Sequence, residues 1–568
     1  MQKNRIAAAA LLLTTLLPAA AQDLHVVTTG DVHGSYFNRP YVGNKMRPSL
    51  MSVKHYVDSL RSVAGEENVI LIDAGDCLQG DNASYYYNYV ATEEPHIYPR
   101  IAAYMGYDVC VLGNHDIETG HPVYDRVNRQ LGEAGISWLA GNAFKEDGST
   151  YFPEYVVLEK GGRRVLVLGY NNANIDGWLS PDLWSGMTHA SLVPLAAARA
   201  EALRKSLHPD AVIVVVHSGT GDGDGRSIES QGLDIFMELT GADLLVTAHD
   251  HRPVSIVEEG KCLVNGGARS GGVGHAVLSF DGDAHVVSRF AEVVRMDKFL
   301  VDEAMVQHFD GEFQAVKEFT NRPVGRLDVP LRSRDAYRGM SDYVNLLHTV
   351  QLAASGADIS IAAPLTYDGS VAPGQLVFND MFTIYPFENQ LFVLKMKGRE
   401  IKDMLEFSYD RWIQTPGDHV LAITNSPDPR TGAPKWSFIN RSYNFDSAAG
   451  INYTVDVTKD FGSRVSIASM ADSSPFDPDA EYTVAMTSYR ANGGGALLTE
   501  GAGIPHGELG ARIVGRYAEI RDFVYKFFTE ADAVDSALLN DYSVLGKWEF
   551  VPESVVAPLM ESDMRLVF

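Results

Sequence analysis

Seven side chains that could bind metal ions follow short apolar segments in the first half of this 568-residue chain. They are carboxylates, imidazoles and one amide with no thiolate, a set that suits Zn, Mn or Fe rather than a structural cysteine-type zinc site. The set is too large for one catalytic ion that must keep an open coordination position. Two ions about 3.5–4 Å apart that share one carboxylate would use all of it, and such a pair supports in-line displacement at phosphorus. The candidate ligands are Asp31, His33, Asp76, Asn114, His217, His249 and His251.

The spacing of these residues favours a single site. His249 and His251 are two residues apart, so in an extended segment both side chains point the same way. Asp31 and His33 have the same spacing, and Asn114 follows a glycine that opens a turn. A single histidine near a strand end is more often a hydrogen-bonded structural residue. Scattered structural residues, however, would not all come directly after strand-like segments.

The elements that must position these side chains are short apolar strands separated by helices. This alternation, from Leu24 to Ser279, implies an α/β domain with a sheet that is buried on both faces. Catalytic groups in such sheets gather where strands end, and each candidate ligand follows one of the apolar runs. The runs are Leu24–Thr28, Val69–Ile72, Val109–Leu112, Val165–Leu168, Val212–Val216, Leu244–Val246 and Ala276–Phe280.

The length of the chain predicts two or three domains. Residues from about Leu300 to Thr320 have the pattern of a helix with mixed charge, bounded by Arg322-Pro323, and a second αβ unit follows. We therefore predict a signal peptide at residues 1–21, a catalytic domain at 22–299, a connector helix at 300–323 and a smaller C-terminal domain at 324–568.

The first residues have the pattern of a secretory signal. Lys3 and Arg5 precede an apolar segment, and Ala19-Ala20-Ala21 forms a small-residue cleavage site before Gln22. The apolar segment is too short to span a bilayer comfortably, and no other stretch is long enough. We expect export through a cleavable signal, to the periplasm or, as the alternative, to the cell exterior.

The net charge limits which ligands the chain can bind, and the number of cysteines indicates whether it contains disulfides. The formal net charge of −26 repels polyanions, so a long nucleic acid is not expected, whereas a small phosphorylated substrate could bind where metal ions invert the local field. Three cysteines cannot all pair internally, so Cys77, Cys110 and Cys262 are predicted to be buried free thiols. The sequence does not indicate the oligomeric state.

The motif series resembles that of the calcineurin-like metallophosphoesterases, over roughly residues 22–300. The motifs are Asp31-Val32-His33, Gly75-Asp76-Cys77-Leu78-Gln79-Gly80, Gly113-Asn114-His115-Asp116, His217 and His249-Asp250-His251. The resemblance implies a layered β-sandwich flanked by helices and two divalent metal ions, with Mn or Zn expected.

The resemblance also implies roles for single residues. The seven ligands would form two groups, one for each metal, and Asp76 would belong to both groups as the bridging ligand. His115 would stabilise the transition state and assist the leaving oxygen. Relatives often carry Asp where this chain has Glu118, so an orienting role for Glu118 stays open. The expected groups are Asp31, His33, Asp76 and His251 for one metal, and Asp76, Asn114, His217 and His249 for the other.

The second half resembles the nucleotide-binding C-terminal domain of the 5′-nucleotidase family, from about Val324 to Pro552. In that family two aromatic side chains hold the nucleobase between them, and Phe445 and Tyr489 match those positions, with Tyr443 as the alternative to Phe445. The matching stretches are Asn345-Leu346-Leu347-His348, Gly356-Ala357-Asp358-Ile359-Ser360, Tyr385-Pro386-Phe387-Glu388-Asn389 and Tyr489-Arg490-Ala491-Asn492-Gly493-Gly494.

One departure from the 5′-nucleotidase pattern separates two branches of the family. Where typical 5′-nucleotidases have an Asn-Gly-Gly-x-Ile-Arg stretch, this chain has Ala362-Ala363-Pro364-Leu365, with no arginine. The sequence is therefore more similar to the 2′,3′-cyclic-nucleotide 2′-phosphodiesterase/3′-nucleotidase branch. A 5′-nucleotidase or UDP-sugar hydrolase, a sulfur-ester hydrolase of the same build and a nucleotide-binding protein without activity are the alternatives. An intact ligand set argues against the last of these.

Overall fold

The structure is a computed structural model that describes residues 23–258, 260–387, 389–427 and 432–568. The expected signal peptide lies outside these residues, as does Glu388 of the family-like stretch that begins at Tyr385. Among the residues described, no helix is both long enough and apolar enough to cross a membrane.

Two six-stranded sheets form the described part of the first half. The β-branched and leucine-rich runs of the sequence become their central strands, which pair in parallel. In spatial order, the first sheet contains Val286–Arg295, Gly272–Phe280, Leu24–Thr29, Val69–Asp73, Val109–Val111 and Ser137–Leu139, and the second contains Val254–Glu258, Lys261–Asn265, Leu244–Thr247, Ala211–Val216, Arg163–Tyr170 and Tyr155–Lys160.

The two sheets pack face to face, and helices cover their outer faces. Val26 and Ile70 of the first sheet share a buried core with Ile213 and Val246 of the second. The layered sandwich implied by the family resemblance is therefore confirmed, and its sheets are buried on both faces, as the apolar runs predict. The covering helices are Leu50–Ala64, Ile97–Met105, His121–Glu133, Leu192–Leu207 and Gly232–Glu238, with short turns of helix at Asn82–Tyr85, Asn114–Ile117 and Ile175–Trp178.

The expected connector helix is two helices, Glu303–His308 and Asp310–Thr320, which meet at Phe309. Phe309 and Phe313 are buried in the same core as the first helical layer, and Asp310 pairs with Arg39 at 2.7 Å. The connector therefore packs on the first half of the chain rather than spanning a gap. The domain boundaries themselves stay a prediction.

A five-stranded mixed sheet organises the second half. A three-stranded sheet and several two-stranded pairs surround it. The five strands are Ser447–Ala449, Ile359–Ala362, Glu481–Thr487, Gln390–Lys397 and Ile513–Glu519, and the three are Val465–Met470, Ile451–Asp456 and Trp548–Val551. The helices include Asp342–Ser355, Phe378–Ile384, Gly398–Trp412, Ser488–Ala491, His506–Arg512, Ile520–Glu530 and Glu553–Val567.

Hydrogen bonds join the two halves at several places. Asn82 donates its amide to Asn379 at 3.0 Å, and Asn321 donates to the carbonyl of Tyr41 at 3.0 Å. Asn492 of the second half donates to the carbonyl of Trp178. This last contact lies beside the candidate ligands, so it sets how the second half faces them.

Candidate metal centre

The predicted ligands lie just past the carboxyl ends of five parallel strands, three in one sheet and two in the other. Because the sheets pack face to face, these strand ends meet at one edge of the sandwich. Five of the ligands have left-handed backbone, which is uncommon for residues other than glycine and clusters at functional sites. The φ angles are 49° for Asp31, 48° for His33, 60° for Asp76, 74° for His249 and 58° for His251.

Two groups of ligand atoms form there. Asp31, His33 and His251 make one group, in which each residue offers an atom within 4.8 Å of the others. Asp76, His217 and His249 make the second group by the same measure. Asn114 joins the second group because its amide oxygen lies 2.9 Å from Nδ1 of His249.

The two groups are adjacent. Nε2 of His217, in the second group, lies 3.0 Å from Oδ2 of Asp76 and 3.9 Å from Oδ1 of Asp31, in the first. All seven predicted ligands are thus brought together in one place. Whether Asp76 bridges two ions stays a prediction.

Each buried carboxylate is held by one oxygen and presents the other. Oδ2 of Asp31 accepts the backbone N–H of His249 at 2.8 Å, and Oδ1 of Asp76 accepts the backbone N–H of His115 at 2.8 Å. Within the described structure, Oδ1 of Asp31 is buried without a hydrogen-bond partner, and Oδ2 of Asp76 and Nε2 of His217 have only each other, at 3.0 Å. Buried polar atoms that lack full hydrogen bonding are costly, and three that converge fit a site for cations.

The histidines are oriented from behind by backbone carbonyls. Nδ1 of His217 lies 2.7 Å from the carbonyl oxygen of Ala74, and Nδ1 of His33 lies 3.0 Å from that of Gln79. A bond of this kind fixes the ring and directs the other nitrogen to a metal. Gly75 permits the approach, since a Cβ there would come within 2.6 Å of Nδ1 of His217.

The electrostatics of the cluster favour bound cations. Burial raises the pKa of Asp31, which disfavours its charged form. Burial acts the opposite way on His217, but the carboxylates of Asp76 and Asp31 and the carbonyl of Ala74 together outweigh it and raise the pKa of that imidazole to about 10. Burial lowers the pKa of His251 to about 4. Divalent cations would compensate these groups by favouring carboxylates in the charged form and imidazoles in the neutral form.

Asp116 holds two ligand loops together. Its carboxylate is fully buried and accepts the backbone N–H groups of Gly113, Asp76, Cys77 and Leu78 at 2.8–3.0 Å. The aspartate therefore starts the short helix that carries Asn114 and at the same time fixes the loop that carries Asp76. Its place in the sequence does not distinguish it from an ordinary acid in a turn.

His115 lies beside the cluster with its ring held by Glu118. Nδ1 of His115 lies 2.7 Å from Oε2 of Glu118, and the amide of Gln79 donates to the same oxygen at 3.0 Å. The ring also abuts His33, with 5.4 Å between the ring centroids. An orienting role for Glu118, open from the sequence, is thus supported by this contact.

Trp178 and Glu229 line the side of the cluster that faces the second half of the chain. The Trp178 ring stacks on His249 with 5.3 Å between centroids, and its carbonyl accepts from Asn492. Oε2 of Glu229 lies 3.7 Å from Nε2 of His249. Neither residue was predicted, because a tryptophan in a short helix and a glutamate in a glycine-rich loop carry no distinctive sequence signal.

Two exposed tyrosines of the second half face this rim. The side chains of Tyr443 and Tyr489 are 40% and 37% exposed. Tyr489 lies in the short helix Ser488–Ala491, three residues before Asn492, which donates to the carbonyl of Trp178. Arg490 joins the two tyrosine segments by donating to Asp446 at 2.7 Å and to the carbonyl of Tyr443 at 3.2 Å.

Phe445 does not belong to this exposed surface. Its ring is fully buried and stacks on Trp412 at 5.6 Å with an interplanar angle of 4°. Tyr337 and Phe438 close it in edge-on. The prediction that Phe445 stacks on a base is therefore wrong in this structure, because the ring completes the core behind the turn and Tyr443 takes the outward position.

Comparisons with known proteins agree with this architecture. The family described as calcineurin-like phosphoesterase matches residues 24–253, and the family described as 5′-nucleotidase, C-terminal domain, matches residues 323–500. The chain therefore carries a calcineurin-like phosphoesterase domain together with a 5′-nucleotidase C-terminal domain. It is thereby a metal-dependent phosphoric ester hydrolase, and its family uses a dinuclear divalent metal site.

Individual relatives are distant. A 2′,3′-cyclic-nucleotide 2′-phosphodiesterase/3′-nucleotidase of Salmonella typhimurium is 24% identical, and the match covers 85% of this chain and 84% of the relative. A 5′-nucleotidase of Vibrio parahaemolyticus is 22% identical over 71% of this chain and 79% of the relative. The crystal structure titled putative 5′-nucleotidase from Staphylococcus aureus, in complex with alpha-ketoglutarate, shares the fold, with a TM-score of 0.75, 21% identity and 93% and 99% coverage.

The residues present fit the metal pair that this nucleotidase family implies. Asp31, His33 and His251 would hold one ion, and Asp76, Asn114, His217 and His249 the other. Two divalent cations supply an activated water at neutral pH and neutralise negative charge on a phosphate. The protein supplies the rigid ligand frame, the oriented His115 and an aromatic surface across the cleft.

Proposed function

We propose that this nucleotidase-family enzyme hydrolyses 2′,3′-cyclic nucleotides to 3′-nucleotides and then releases the nucleoside and phosphate. The observation that carries the proposal is the contact between the tyrosine segments and the ligand cluster. Asn492, three residues after Tyr489, donates to the carbonyl of Trp178, whose ring stacks on the candidate ligand His249, and Arg490 donates to the carbonyl of Tyr443. A base stacked on tyrosine gains about 1–3 kcal/mol whatever its identity, and its sugar phosphate would then reach the ligand cluster.

The chemistry would proceed in two hydrolytic steps at one place. In the first, water adds to phosphorus while the bond to the 2′ oxygen breaks, and that oxygen takes up a proton. In the second, water adds again and the 3′ oxygen leaves. We assign proton transfer to Nε2 of His115, because Nδ1 of this ring is engaged by Glu118 at 2.7 Å.

The cyclic and 3′ specificity is supported by two observations from sequence. The chain has Ala362-Ala363-Pro364-Leu365 where typical 5′-nucleotidases carry an arginine. Similarity to the Salmonella relative extends over most of both chains. The runner-up is a 5′-nucleotidase, supported by similarity to the Vibrio protein.

A substrate panel tests the proposal. Purified protein with Mn or Zn is given 2′,3′-cAMP, 3′-AMP and 5′-AMP, with an Asn114→Ala variant as the control for contaminating phosphatases. We expect turnover of the first two substrates and loss of that turnover in the variant. Failure to hydrolyse either one would reject the assignment, and fast hydrolysis of 5′-AMP alone would establish the runner-up.

We further propose that the enzyme is exported, since residues 1–21 have the pattern of a cleavable signal. Expression in a Gram-negative host followed by mass spectrometry of the mature N-terminus tests this. We expect a chain that starts at Gln22 in the periplasmic fraction. An uncleaved chain in the cytosol would contradict it.

A further inference from the structure

A glycine-rich loop that carries Arg269 borders the candidate metal centre on the side opposite Glu229. The loop joins the strands Lys261–Asn265 and Gly272–Phe280. Its backbone N–H at Arg269 donates to the carbonyl of Asp31 at 2.8 Å, and Nη1 of Arg269 donates to the carbonyl of Gly80 at 3.3 Å. Arg269 therefore links the loop of Asp31 to Gly80. Gly80 follows Gln79, whose carbonyl orients His33.

The loop is fixed where it leaves the strand Lys261–Asn265. Asn265 donates to Oδ1 of Asp250, the residue between the ligands His249 and His251, at 2.9 Å, and its own oxygen accepts the N–H of Gly267 at 2.9 Å. Arg269 and Ser270 both have left-handed backbone, with φ of 54° and 52°. Two consecutive residues in this conformation indicate a shape imposed by the site rather than by local preference.

The charge of Arg269 is not neutralised by the protein. No carboxylate lies within 4.0 Å of its guanidinium in the described part of the chain. The carboxylate of Asp81, which acts on Arg269 from beyond this distance, already pairs with Arg47 at 2.7 Å and accepts the hydroxyl of Tyr41 at 2.8 Å. Arg269 is exposed to solvent.

The contact with Gly80 places this cation beside the first ligand group. A Cβ at Gly80 would lie 3.0 Å from Cβ of His33, so the carbonyl that accepts from Nη1 belongs to a residue packed against that ligand. A planar fork of donors beside a candidate phosphate site is suited to bind two phosphoryl oxygens at once.

We propose that Arg269 binds the phosphoryl oxygens of the substrate and that it strengthens the binding of a phosphomonoester dianion more than that of a cyclic diester monoanion. The second part rests on the proposed function, in which the product of the first step is the substrate of the second. A dianion gains more from a fixed cation than a monoanion does, since the Coulomb energy scales with charge. Arg269 would therefore promote the second hydrolysis.

The phosphate-binding part of the proposal can be tested without turnover. Inorganic phosphate is titrated calorimetrically into the Mn-loaded wild-type protein and into Arg269→Met, which keeps the length of the side chain and removes its charge. We expect phosphate affinity to fall by about 10- to 100-fold, the range for losing a hydrogen bond to a charged group. Arg269→Lys, which keeps the charge without the fork, should lie between the two.

Two controls make the result specific. Arg226→Met removes an exposed arginine that pairs with Asp224 in another glycine-rich loop and should bind phosphate as the wild type does. A separate Mn titration should give the same affinity in Arg269→Met as in the wild type. Unchanged phosphate affinity would overturn the proposal, and so would a parallel loss of Mn binding, which would make Arg269 a support for the ligand loops.

Nucleotide kinetics test the second part. In Arg269→Met, kcat/KM for 3′-AMP should fall more than kcat/KM for 2′,3′-cAMP, so that 3′-AMP accumulates during hydrolysis of the cyclic substrate. Equal losses for the two substrates would refute the discrimination. If the wild type hydrolyses neither nucleotide, the proposed function fails, while the phosphate titration still decides the role of Arg269.

Discussion

The two faces of the cleft are built on different physical grounds. On the metal-binding face, two carboxylates and two imidazoles are each held by one bond to the backbone and present a second atom to the ligand cluster, as Asp31 and His217 do. On the opposite face, aromatic rings are held by packing, so a ring such as Phe445 can complete the core as readily as it can face a ligand. A buried polar side chain without a protein partner is stable only at a site that supplies one, whereas an aromatic ring is stable both in the core and against a ligand.

This difference explains what the sequence could and could not predict. The seven candidate ligands were identified because each follows an apolar run, and strand ends in parallel sheets converge. Phe445 was misassigned because a phenylalanine two residues from Tyr443 matches a family position equally well, and only packing against Trp412 decides between them. The apolar runs alone do not show that there are two sheets, since a strand covered by a sheet and one covered by helices have the same apolar pattern. The family resemblance supplied the sandwich.

Residues around the ligands were the least predictable part of the site. Asp116 acts through four backbone N–H groups, and Arg269 through contacts with Asp31 and Gly80, which are distant in sequence. Trp178 reaches His249 only because the two sheets face each other. The glycines around Arg269 were the one sequence signal that could have drawn attention to that loop.

The largest expected effect concerns the metal-binding face. Asp76→Asn keeps the shape of the side chain but removes the charge that faces His217, so we expect kcat/KM to fall by about 10³-fold and bound metal to be lost. Phosphatase assays and metal analysis by mass spectrometry measure both. Asp73→Asn is the matched control, since Asp73 is equally buried but is satisfied by Thr29 and Tyr98, and it should retain metal.

On the aromatic face, loss of an exposed ring should weaken nucleotide binding without changing the stability of the fold. Tyr489→Ala removes an exposed ring and should raise KM for nucleotides by about 5- to 100-fold, as expected for a lost base stack. Its urea midpoint should not change. A Tyr489→Ala enzyme with wild-type KM would show that this ring does not stack on the base.

Phe445→Ala should lower the stability of the fold without changing KM. Deleting this buried ring should cost about 3–5 kcal/mol of unfolding free energy, measured by urea denaturation. Protein that remains folded at low temperature should keep a normal KM. A large rise in KM without loss of stability would show that Phe445 reaches the ligand after all.

Glu118→Gln tests how tightly His115 must be oriented. The substitution keeps the contact distance but weakens a charge-assisted bond of 2.7 Å, so kcat should fall by about 10-fold with little change in KM. Steady-state kinetics on a nucleotide and on p-nitrophenyl phosphate measure this. His115→Ala should be at least as severe, and a silent Glu118→Gln would leave the contact without catalytic importance.

The smallest effect is expected at the junction of the two faces. Asn492→Ala removes the hydrogen bond to the carbonyl of Trp178 and should change kcat/KM by about 2- to 10-fold, the value of one neutral hydrogen bond. Hydrolysis of p-nitrophenyl phosphate, which has no base to stack, should be less affected. Equal changes for both substrates would indicate that the contact supports the metal-binding face alone.

The left-handed backbone at five ligands has a consequence for how this enzyme can diverge. β-branched residues are excluded at these positions by backbone sterics before any question of chemistry arises. Asn and Asp tolerate such a backbone and also offer an oxygen to a metal ion. Substitutions tolerated by the backbone at His33, His249 or His251 therefore favour residues that offer an oxygen donor. Such substitutions would shift the metal preference of the centre toward harder ions such as Mg and Mn rather than abolish the site.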